Sequence, residues 1–67
     1  MTRIELNGEP FEVPCGQSLQ ELASQIGVAG QAVAVAVNRE IVPRERWPAR
    51  RLLASDKVDI VRAIGGG

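Results

Sequence analysis

Residues 18–37, "SLQELASQIGVAGQAVAVAV", pass from one hydrophobic period to another within a few residues. In the first half, Leu19, Leu22, Ala23 and Ile26 stand at i, i+3, i+4 and i+7, which is one apolar stripe of an amphipathic helix. Both ends of that helix are marked. Ser18 and Glu21 form the S-x-x-E pattern of a capping box, in which hydroxyl and carboxylate take up backbone N–H groups that the first turn leaves unpaired. Gly27 supplies a residue that enters the left-handed region without steric cost, so the helix stops there. In the second half, Ala32 to Val37 alternate strictly, the period of a strand. Val33, Val35 and Val37 then share a face that packs on the helix, and Ala32, Ala34 and Ala36 point away. One helix laid on one face of a sheet is the arrangement these twenty residues call for.

The flanks supply the other strands. "TRIELNGEPFEV", residues 2–13, reads as a β-hairpin around Asn7-Gly8, the preferred pair for a two-residue type I′ turn because both tolerate positive φ. That register sets Ile4 opposite Phe11 and Thr2 opposite Val13, with Leu6 on the Ile4 face. Pro10 has no N–H for a ladder, which places the second strand at a sheet edge. "PCGQ", residues 14–17, is a turn. After the alternating strand, a turn at Asn38-Arg39-Glu40 leads to a brief Ile41-Val42 strand that Pro43 ends. "RERWPARRLLASD", residues 44–56, reads as an irregular crossover with one 3₁₀ turn. "KVDIVRAI", residues 57–64, is the last strand, with Val58 and Ile60 inward. The order is ββαββ with a final strand: an α+β roll whose mixed sheet of four to five strands carries one helix on one face. Nothing in residues 1–67 divides the chain, so a single domain is expected, closed by a flexible glycine tail over residues 64–67.

Composition narrows the possible chemistry. A chain of 67 residues buries only about 60% of the surface its unfolded form exposes. Many folds of this size lean on disulfides or metals. With one cysteine and no histidine, neither an internal disulfide nor a Cys/His zinc site is available, and no metal is expected. Acidic pairs suited to acid–base catalysis form no constellation, so no catalytic residue is assigned and the chain reads as a non-enzyme. "MTRIELNGEP" has no apolar core segment of a signal peptide, and no apolar run approaches the roughly eighteen residues of a membrane span. A cytoplasmic protein is expected, with no membrane partner. Zero net charge argues against nucleic acid held by bulk electrostatics. The charge is unevenly placed, however. Residues 39–51 carry five arginines against Glu40 and Glu45, which leaves that stretch at +3 and the remainder at −3. Such a stretch is either an ordinary solvated surface or a patch that steers a partner.

Several stretches together resemble one family. "NGEPFEV" is similar to the opening hairpin, and "GQSLQEL" to the glycine, polar cap and helix start, of the ubiquitin-like β-grasp sulfur carriers. "VAVNREIVPRERW" and "DKVDIVRAIGGG" resemble the segment after the helix and the closing strand with its glycines, most closely in the thiamine-pathway carriers, the ThiS family. The resemblance covers most of the chain. One departure is Ser55-Asp56, where the family's usual turn before the last strand has Gly-Asp.

What the resemblance implies is a protein cosubstrate. The carboxylate of Gly67 would be adenylated with ATP by a ubiquitin-activating-type (ThiF-like) adenylyltransferase, ATP being bound by that partner and no cofactor by this chain. Sulfur from a cysteine desulfurase or rhodanese-type donor would then form a thiocarboxylate, to be passed to thiazole synthase (ThiG-like). Related alternatives are sulfur carriage for molybdopterin or tRNA thiolation, and conjugation to other proteins as a ubiquitin-like modifier. Chemically, a main-chain carboxylate with a pKa of about 3.5 is an anion at neutral pH and a poor electrophile, so it needs a leaving group. Gly65 and Gly66 would thread a partner's channel, since glycine lacks Cβ and bends with either sign of φ. Residues 64–67 extended reach about 13 Å at roughly 3.3 Å per residue. A frayed end is the plainer account of the same glycines.

In a β-grasp roll the final strand lies beside the strand after the helix. Ala34, Ala36, Val61 and Ala63 would then form a small apolar docking patch on the face away from the helix, or a merely tolerable exposure. Cys15 is either a passive turn residue or a persulfide site, without a histidine to activate it. Trp47 is either a core anchor for the crossover or a partner contact.

Overall fold

The computed structural model describes residues 1–62, and the expected tail at 64–67 lies outside them. The elements run β1 (Thr2–Leu6), β2 (Glu9–Val13), α1 (Leu19–Gln25), β3 (Val33–Val37), β4 (Glu40–Ile41), a 3₁₀ turn (Arg44–Arg46) and β5 (Lys57–Arg62). One five-stranded sheet has the order β2-β1-β5-β3-β4. β5 runs parallel to β1 and antiparallel to β3, so the last strand occupies the middle of the sheet. β2 is an edge, as Pro10 requires, and the hairpin register is the expected one, with Thr2 opposite Val13 and Ile4 opposite Phe11.

The helix is short, and both of its ends are closed by specific bonds. Glu21 N–H donates to Ser18 Oγ at 3.1 Å while Ser18 N–H donates to the Glu21 carboxylate at 2.9 Å. The bond from Ser18 N–H first, and the Ser18 hydroxyl second, hold the Glu21 carboxyl below its ordinary range. At the other end, Gly27 N–H donates to Ser24 O and Val28 N–H to Ala23 O, the paired bonds of a Schellman motif, with Gly27 at φ +83°. Val28 is thereby folded into the core. Leu19, Leu22 and Ala23 face the sheet and meet Ile4, Val13, Val35, Val37 and Val58, all buried.

The crossover from 43 to 56 closes the remaining side of the core, and its arginines explain how. Trp47 is 1% exposed, its indole N–H donates to Val42 O at 2.9 Å, and Leu52 packs beside it in the core. Arg44 lies over the Trp47 ring, 4.4 Å from its centre, and donates to the carbonyls of Ala29 and Gln31. Arg51 donates to Gly16 O at 2.7 Å, and Arg50 reaches the Asp56 carboxylate at 3.3 Å. Three of the four arginines in the crossover therefore hold carbonyls or a buried carboxylate rather than forming a free cationic surface.

The turn into β4 differs from the expectation. Asn38 and Arg39 both have positive φ (+52° and +69°), so they alone make a two-residue turn. Val37 then pairs with Glu40 and Ala36 with Ile41, so β4 is Glu40–Ile41 rather than Ile41–Val42. Asn38 tolerates the left-handed region well enough to start the turn one residue tighter.

Ser55, the departure from the family's glycine, sits at φ +69°. An L-residue there carries strain that glycine does not. Beside it, Asp56 is buried and accepts from Leu53 N–H at 2.8 Å and from the Asn38 side-chain amide at 3.0 Å. In denaturant titration, Ser55→Gly is predicted to stabilise the fold by about 0.5–1 kcal/mol, strain relief exceeding the added unfolded-state entropy. Asp56→Ala leaves three donors without their acceptor and should cost about 2–4 kcal/mol by the same measurement.

Candidate functional site

β5 is the element that connects the body to the glycines, and two asparagines grip it from opposite sides. On the β3 side, Asn38 N–H donates to Lys57 O at 2.8 Å and Lys57 N–H donates to Asn38 Oδ1 at 3.0 Å. On the β1 side, Asn7 N–H donates to Val58 O at 2.8 Å and Ile60 N–H donates to Asn7 Oδ1, also at 2.8 Å. Each asparagine opens a tight turn of positive φ, which frees its side-chain amide to point along the neighbouring strand. The hairpin reading identified Asn7 as a turn former, but its bond to Ile60, 53 residues away, left no mark in the local pattern.

Alternation along β3 and β5 builds the face away from the helix. Val58 and Val35 are buried, so Ala34, Ala36, Asp59 and Val61 lie on the other side. Ala34 pairs with Val61, as the expected patch requires, whereas Ala36 pairs with Asp59. The patch is therefore narrower on that row and carries a carboxylate. It extends the other way through Ile41, opposite Ala36 and 70% exposed; Val61 is 64% exposed. Ile41 was missed because the three-residue reading of the turn placed it out of step with Ala36. Ala63, Gly65, Gly66 and Gly67 lie outside the described residues.

Cys15 and Trp47 are placed away from this region. Cys15 is exposed beside Thr2, whose hydroxyl donates to its sulfur at 3.5 Å. That bond first, and the nearby amino terminus second, lower the thiol below its ordinary range. Because β1 and β5 are parallel, the Thr2 end of β1 and the Arg62 end of β5 are opposite ends of the sheet. Trp47 belongs to the core, as its burial shows. Among the described residues no three His, Cys, Asp or Glu gather as a metal site, and no helix is long and apolar enough to cross a membrane.

A mixed five-stranded sheet, one helix on one face, and a central last strand leading to three glycines define a β-grasp carrier. The ThiS family model matches residues 3–67. The sulfur carrier protein ThiS of Escherichia coli is 31% identical over 65 residues, 97% of this chain and 98% of that one. The crystal structure of the thiamine biosynthesis protein ThiS from Geobacter metallireducens superposes with a TM-score of 0.85 at 30% identity, covering 98% of this chain and 100% of the other. A thiazole synthase of Magnetococcus marinus is 38% identical over 65 residues, and there the chain spans 20% of the relative's length. The chain belongs to the ThiS family, the sulfur carriers of thiamine biosynthesis. It is accordingly a cosubstrate and not an enzyme, with partners in that pathway.

The position of Cys15 yields a two-part prediction. Its alkylation rate against pH should show a midpoint below that of a free thiol, moving upward in Thr2→Val, which removes the hydroxyl donor. Cys15→Ser should leave sulfur loading of the chain unchanged in intact-mass measurements.

Proposed function

We propose that the working group is the main-chain carboxylate of Gly67. Its oxygen attacks the α-phosphorus of ATP on a ThiF-like adenylyltransferase, pyrophosphate leaves, and the carboxyl becomes an acyl adenylate. A persulfide sulfur, supplied by a cysteine desulfurase or rhodanese-type donor, then attacks the acyl carbon and AMP departs. Thiol reduction of the resulting acyl disulfide leaves a thiocarboxylate on Gly67 and a disulfide on the donor side. The protein's own contribution is presentation: a rigid body to recognise, and glycines at 65 and 66 slim enough to enter a partner's active site.

The observation that carries this reading is the family match, which runs through the glycines to residue 67. A stretch like this chain within the thiazole synthase of Magnetococcus marinus supports a ThiG-like synthase as the recipient of the sulfur. Ala34, Ala36 and Val61, joined by Ile41, are the surface on which we expect the activating enzyme to dock. An exposed, unpaired thiol at Cys15 fits a reducing, cytoplasmic setting.

Incubation with the activating enzyme, ATP and a sulfur source should raise the intact mass by the difference between sulfur and oxygen. Gly67→Val should abolish that gain, and adducts on lysines of other proteins would instead indicate a modifier. Ala34→Asp should weaken binding to the activating enzyme at least about tenfold, by burying an unpaired charge, while leaving the thermal midpoint near that of the parent. Undiminished binding would remove the patch from the interface.

A further inference from the structure

β1 stops pairing with β5 early. The parallel ladder holds Glu5 against Lys57 and Leu6 against Val58, after which β1 turns away at Asn7-Gly8. β5 continues to Arg62 with β3 on its other side, Val33 pairing with Arg62. The next amide on the abandoned edge is that of Ile60, and it is taken by the side-chain carbonyl of Asn7 at 2.8 Å. Asn7 therefore replaces a missing backbone carbonyl of β1. Its own N–H bonds Val58 O and its Oδ1 bonds Ile60 N–H, so one residue spans a full step of the ladder.

From this geometry, and resting on the reading of Gly67 above, we propose that Asn7 is a positioning residue for sulfur loading. It sets the point at which the segment carrying the reactive carboxylate leaves two-sided support. With the clamp in place that point is Ile60, and residues 61–67 span at most about 23 Å at roughly 3.3 Å per residue. Without it, the last residue held on both sides is Val58 and the direction of departure is defined by β3 alone. A partner that binds the body and the carboxylate together then orders more of the chain on binding, which weakens association. Once bound, the reacting groups are placed as before. Loss of the clamp therefore raises KM for the carrier and leaves kcat in place.

Asn7→Gly separates the clamp from the turn, since Gly-Gly also makes a type I′ turn while removing the acceptor. Asn7→Asp keeps both. In the Gly variant, hydrogen exchange at the Ile60 amide should quicken by about tenfold or more. Its KM with the activating enzyme should rise about threefold to tenfold, the range of one hydrogen bond. Asn7→Asp should return both toward the parent. Should Asn7→Gly fail to fold, an ester in place of the Ile60 amide, introduced by ligating a synthetic C-terminal segment, removes the donor and leaves the turn intact; KM should rise likewise. Unchanged exchange at Ile60 in the Gly variant, or an unchanged KM in both altered chains while the parent loads normally, would overturn the role of Asn7 alone. A parent chain that takes up no sulfur would overturn the Gly67 reading and this role with it.

Discussion

Insertion of β5 between β1 and β3 is the constraint on which the molecule depends. It joins the N-terminal hairpin to the strand that follows the helix, and its inward Val58 is fully buried against both. With one cysteine and no histidine, a chain this small depends on continuous burial to hold it, and that continuity exists only if β5 takes the central place. The two turn asparagines secure it from either side, Asn38 where it enters and Asn7 where the parallel ladder ends. The buried Asp56 fastens the same entry point to the crossover through Leu53 and Arg50. A firmly held central strand also gives a carrier a fixed body for its partners to recognise.

Much of this was legible in local sequence, and the reasons are physical. The period change between residues 19–26 and 32–37 specifies helix then strand, since only one backbone geometry puts each apolar set on one face. The capping box, Gly27 and Asn7-Gly8 specify boundaries because each requires particular backbone angles or donors, and the structure shows those angles and bonds. Pro10 placed β2 at an edge for want of an N–H. What escaped was long-range or fine in register. Arg39 in a position that favours glycine concealed how tight the second turn is, and with it the place of Ile41 on the outer face.

The arginines between 39 and 51 show a different kind of illegibility. Their clustering suggested either solvent or a steering patch, whereas Arg44 and Arg51 bond carbonyls of distant loops and Arg50 bonds a buried carboxylate of the crossover itself. Guanidinium suits this task because its planar fork can satisfy two acceptors at once while its flat face lies over an aromatic ring, as Arg44 does over Trp47. No sequence period reports on which carbonyls converge in space. The same holds for Asn7, whose partner becomes a neighbour only once the topology is complete.

A sheet whose middle strand follows all of its other strands in the described sequence cannot be finished early. A nascent chain halted before Lys57 has hairpins and a helix but nothing to unite them, so folding waits for contacts of long sequence separation. Chains that lack this strand have no united core and are exposed to degradation. Architecture of this kind thus ties the existence of a recognisable body to the presence of β5.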